Sequence, residues 1–113
     1  MALETVAKYV TAARVLLQDT KDTPYRYPDV DLLNALSEAF PEAKKLRPDL
    51  FIVTPLQDFA VNDSTVVTMD PMYRQALVYY MVGKMQLRDD EETQDQRAAA
   101  FLSMFQAKLT TVS

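Results

Sequence analysis

Side chains able to do chemistry are scarce in this chain. The densest set is the acidic run Asp89, Asp90, Glu91 and Glu92. Carboxylates suit hard cations such as magnesium and calcium, but those ions need several oxygens converging from spaced positions. A contiguous run between two helices points its side chains apart, so it reads as a solvated turn. With no cysteine and no histidine, the chain lacks disulfides, thiolate nucleophiles, imidazole bases and the usual zinc ligands. Its single glycine, Gly83, leaves no glycine-rich loop to cradle a phosphate. Aromatic residues can stack on bases, yet Phe40, Tyr73, Tyr80, Phe101 and Phe105 fall on helical stripes, not among basic residues, and read as core. Tyr25 and Tyr27, flanking Arg26, are the exception and form a candidate contact for a small partner. The expectation is a protein that is not an enzyme and uses no metal or cofactor.

The elements that would position these residues follow from the apolar pattern. At 113 residues, 49% hydrophobic and 25% charged, the chain fits one domain with one core, spanning residues 1–113. No apolar run approaches the roughly 18 residues of a membrane span. The start, MALETVAKYV, carries Glu4 early and lacks a basic segment followed by an apolar one, so no secretory signal is expected. A net charge of −4 is the wrong sign for gripping nucleic acid by its phosphates.

Four helical patterns appear. The first, from about residue 3 to 18, places Val6, Val10, Ala13 and Leu17 on one stripe and Lys8, Thr11, Arg14 and Gln18 opposite. In the second, Leu32, Leu36, Ala39, Phe40 and Ala43 form the stripe. Arg26, Pro28 and Asp29 bracket its start, and Arg47, Pro48 and Asp49 its end. Asp29 and Asp31 suit the positive end of the helix dipole, Lys44 and Lys45 the negative end. Pro41 removes one backbone hydrogen bond and predicts a kink or break, whether a packing kink or a hinge steering Phe40 toward a partner.

The third pattern opens with Asp70 as cap and Pro71 at the first helical position. Tyr73, Ala76, Tyr80, Gly83 and Leu87 form one face; Val78, Met81 and Met85 form a second. A helix apolar on two faces is either central in a bundle or shared with another subunit. Gly83 predicts a close helix crossing. Met69, Met72, Met81 and Met85 suit an adaptable binding surface and core filling equally. The fourth helix begins near Thr93 and Gln96, which have capping-box spacing, and carries Ala98, Phe101, Leu102, Phe105, Leu109 and Val112 on one stripe.

The fold class is therefore mostly α: a four-helix bundle with a long extended loop or β-hairpin arm, residues 50–69, between the second and third helices. The runs 51–54 and 64–68 are rich enough in β-branched residues to pair as that hairpin. So many apolar residues do not suit a free loop, and the arm either folds over the bundle or reaches into another chain. Phe51, Val53, Leu56, Phe59 and Val66 of the arm, with Val78, Met81 and Met85 of the third helix, are the candidate interface.

In order along the chain, YRYPDVDLLNALSEAF, LRPDLF, MDPMYRQALVYYMVGKMQLRDDEE and QRAAAFLSMFQAKL resemble the phage head-to-tail adaptors, the small head-tail connectors beneath the portal. Tyr27, Asp29, Arg47, Pro48, Asp49, Leu50 and Phe51 carry the motif that opens and closes the second helix. Further matches lie at residues 73–80, 89–92 and 97–101, and Pro41 departs from a helix that usually runs on. The resemblance implies a structural virion protein of the neck, between capsid and tail, assembled in the host cytoplasm. It implies a homo-oligomeric ring of about twelve copies, joined to the portal protein and to a tail tube or nozzle protein. DNA would pass through it without specific binding, and no membrane would be involved. The alternative is a small helical tail-completion or assembly-interaction module acting as a monomer or dimer.

Overall fold

Four α-helices form close to where the apolar period places them: α1 (Val6–Leu17), α2 (Asp29–Leu46), α3 (Arg74–Leu87) and α4 (Glu92–Thr110). The computed structural model describes residues 3–19, 27–52, 57–59, 65–69, 71–87 and 92–110, and the following statements concern those residues.

Helix α1 buries Val6, Tyr9, Val10, Ala13 and Leu17, as its stripe predicts, and Arg14 as well. It ends in a Schellman turn. Gln18 adopts the left-handed conformation (φ 58°), and the N–H groups of Gln18 and Asp19 donate to the carbonyls of Val15 and Arg14. A glycine normally holds this position, because a Cβ costs about 1–2 kcal/mol there. The turn brings Asp19 back against its own helix, where it meets Arg14.

Helix α2 runs unbroken through Pro41. Asp29 and Asp31 lie in its first turn and Lys44 and Lys45 in its last, matching the dipole. Its buried face includes Leu32, Leu36, Ala39, Phe40 and Ala43, none of them measurably exposed.

Helix α3 is the centre of the bundle and packs on each of the other three helices. A short 3-10 turn, Pro71–Tyr73, leads into it, so Pro71 precedes the α-helix proper; Asp70 lies outside the described residues. Val78 and Met81 are fully buried and Met85 nearly so. The second apolar strip of α3 thus belongs to the subunit's own core. It does not form the inter-subunit surface expected from the sequence. Gly83 does mark a close crossing: a Cβ there would fall 2.8 Å from Cγ and Cδ2 of Leu102 and 3.3 Å from the Ala98 carbonyl of α4. Helix α4 starts at Glu92, so Thr93 falls inside it and not at its cap. It seats Ala98, Phe105 and Leu109 on the bundle, while Phe101 and Leu102 are partly covered.

Between α2 and α3 the described residues fold back over the bundle. After α2 the chain makes a 3-10 turn, Pro48–Phe51. Phe51 and Phe59 both meet the ring of Phe40 edge to face, at centroid distances of 6.1 and 5.8 Å. The Phe59 N–H donates to Ser37 Oγ (2.8 Å), which itself donates to the Leu33 carbonyl. Val67 and Met69 are buried as well.

No hairpin between 51–54 and 64–68 appears among the described residues. Val66 instead pairs antiparallel with Thr5: the Val6 N–H donates to the Thr65 carbonyl and the Val67 N–H to the Glu4 carbonyl, each at 2.9 Å. The physical reason lies in the two aromatics. Phe51 and Phe59 pack on Phe40, whereas a two-stranded hairpin alone is marginal in water; residues 53, 54 and 64 of the two runs lie outside the described residues.

Candidate functional site

Of the residues bracketing α2, Asp29 at its start and Arg47 with Asp49 at its end take part in two polar clasps. At its start, the Arg14 guanidinium, 6% exposed, donates to Asp19 Oδ2 (2.9 Å), to the Tyr27 carbonyl (2.9 Å) and to Asp29 Oδ1. Asp19 Oδ2 also accepts the Tyr27 N–H at 3.0 Å. One cation therefore ties the end of α1, the entry to α2 and α2 itself into one corner. Arg26 and Tyr25 lie outside the described residues. Arg14 was invisible as a site because it shares the polar side of α1 with Lys8, Thr11 and Gln18; the only signal was an arginine one turn from the end of an amphipathic helix, followed by Asp19.

At the other end, Arg47 makes a two-pronged ion pair with Asp49 (3.0 and 2.8 Å). Its remaining nitrogen donates to the Leu109 carbonyl in the last turn of α4 and reaches the Tyr73 hydroxyl at 3.4 Å. Its guanidinium carbon sits 5.2 Å from the centre of the Tyr73 ring. The arginine pins α2 to the entry of α3 and to the end of α4. Hydrogen bonds from Arg47 hold the Asp49 carboxyl below the ordinary value of 3.8, and those to Asp49 and Tyr73 hold the guanidinium firmly charged.

A depressed carboxylate contributes stability above its unfolded value and loses it as pH falls through the folded one. Arg47→Lys keeps the charge but loses the planar fork. It should therefore lower the melting temperature by a few degrees at neutral pH, with the deficit shrinking below pH 3.8 as Asp49 protonates. Thermal melts of both proteins across pH 2.5–7 check this, the lower bound being roughly one unit below that value.

The candidate interface residues do not come together as one patch. Phe51 and Phe59 are 8% and 7% exposed and, with Val78, Met81 and Met85, sit in the core. Val66 alone stands out, at 60% exposure, and Ile52, an apolar residue of the arm outside the candidate interface, is more exposed still. Val53 and Leu56 lie outside the described residues. Of the motif residues, Tyr27, Asp29, Arg47 and Asp49 belong to the clasps, Pro48 starts the 3-10 turn, and Leu50 and Phe51 pack on the core.

A groove of about 390 Å³ opens between α2, α3 and α4, lined by Leu46, Tyr80, Leu87, Leu102 and Phe105 with Lys45 and Lys84 at its lip. Burial, with the nearby charges of Glu38 and Glu42, pushes the Tyr80 hydroxyl up to about 12. Burial raises the Tyr9 hydroxyl further, partly offset by Arg74. Both phenols stay protonated at neutral pH and offer no base. Among the described residues no group of three or more acidic side chains is placed to hold a metal ion, and no helix is long and apolar enough to cross a membrane.

These features define a small, mostly helical bundle whose marked polar residues fasten its helices together. No protein-family model, curated protein or solved structure matches the chain.

Proposed function

We propose that this chain is a subunit of a phage head-to-tail adaptor: one copy of a ring that joins the portal to the tail and surrounds the DNA channel. The order of its motifs along the chain carries the reading, above all Tyr27-x-Asp29 at the start of α2 and Arg47 to Phe51 after it. The clasps add physical support. A subunit of a load-bearing ring needs helices held at fixed angles, and here the motif residues do that holding. The acidic balance, −4, suits a wall that DNA passes without adhering. On this reading the protein performs no catalysis and needs no cofactor; its partners are further copies of itself, the portal and the tail tube or nozzle.

A second reading has one observation in its favour. Val78, Met81 and Met85 are used up in the core, which suits a self-sufficient tail-completion or assembly module working as a monomer or dimer. Sedimentation of the purified chain with and without its phage's portal complex separates the two. The adaptor reading expects many copies to move with the portal. A chain that stays at monomer or dimer mass in both runs supports the second reading instead.

A further inference from the structure

The stretch 65–69 makes one isolated antiparallel bridge, Val66 to Thr5, and its backbone presents two edges. Its inner edge, the Thr65 carbonyl and the Val67 N–H, is paired to the segment before α1. Its outer edge presents the next groups in the alternation, the Val66 carbonyl and the Thr68 N–H. Among the described residues no other backbone pairs with these. The side-chain amide of Gln57 does: Nε2 donates to the Val66 carbonyl (3.1 Å), and Oε1 accepts from the Thr68 N–H (2.7 Å) and from Thr68 Oγ1 (2.9 Å). A primary amide carries one donor and one acceptor side by side, so it reproduces the pairing that a neighbouring strand would supply.

We propose that this outer edge is a homotypic strand-pairing site, held closed by Gln57, and that its occupant is a second copy of this chain. The hydrogen-bond pattern suits that occupant. With Val67 of one copy opposite Val67 of the other in antiparallel register, each Thr68 N–H meets the other's Val66 carbonyl, and the two bonds close around a twofold axis. The edge is complementary to itself with no shift of register. The pairing also continues one already present: residues 4–6 and 65–67 of each copy become the outer and inner strands of a four-stranded arrangement. Sheets of three or more strands hold where an isolated pair is marginal. Val67 turns into the core, while Val66 and Thr68 are exposed. Unpaired edges are templates for association, and proteins block them with local devices; Gln57 is such a device. The inference does not rest on the adaptor reading, since a closed twofold pair is not a ring contact.

The test is Gln57→Ala, followed by amide exchange at Thr68 and by sedimentation over a concentration series. In the unaltered protein the Thr68 amide is protected at every concentration. In the variant it exchanges about tenfold faster or more when dilute, and protection returns at high concentration as the mass doubles. Gln57→Glu, which sets a carboxylate oxygen against the Val66 carbonyl, should behave the same way and decides the matter if the alanine variant folds poorly. The proposal is overturned if the Thr68 amide of the dilute variant stays protected, if it stays open at all concentrations with no change in mass, or if the mass doubles while that amide remains open.

Discussion

Arg14→Met should destabilise the subunit by about 3–5 kcal/mol, the cost of breaking a buried ion pair from one side. The substitution keeps most of the side-chain volume but removes the guanidinium from beside Asp19, 8% exposed, and its hydrogen bond to the Tyr27 carbonyl. Arg14→Met combined with Asp19→Leu should recover much of the loss, because replacing a buried pair by apolar groups is often neutral. Urea unfolding of the three proteins measures both effects. A single variant within about 0.5 kcal/mol of the parent, the range of an ordinary surface change, would show that the corner does not hold the helices.

Phe59→Ala should cost about 3–5 kcal/mol, the usual penalty for removing a core phenylalanine. Phe59 lies across Phe40 and anchors its own backbone to Ser37. Val66→Ser, seven residues on and exposed, should change stability by less than about 0.5 kcal/mol. The contrast is the useful result. Were the two variants equally mild, residues 57–59 would be a loosely attached arm and not part of the subunit core.

Helix positions were readable because the apolar period marks them. Leu32, Leu36 and Phe40 repeat on one face and fill the core as that spacing requires, and Gly83 announces the crossing with α4. Three other features were not readable, each for a physical reason. The second strip of α3 looked like surplus apolar surface because the covering supplied by the other three helices is a long-range property. The 64–68 run has the composition of a strand, but composition does not name its partner; pairing with residues 4–6 links distant parts of the chain. Arg14 reads as solvated because periodicity assigns it to the polar side, and only the left-handed Gln18 turn brings Asp19 back to pair with it. The motif brackets around α2 were visible from the start. What could not be seen was that Arg47 reaches the Leu109 carbonyl, 62 residues away.

The adaptor reading is tested most directly by a cryo-EM reconstruction of the neck in particles that carry this chain. The account predicts a closed ring directly beneath the portal, each subunit fitting helices α1 to α4 with the Arg14 and Arg47 corners intact and DNA density running through the centre. A neck whose layers are all filled by other proteins, or this chain present singly away from the channel, would contradict it.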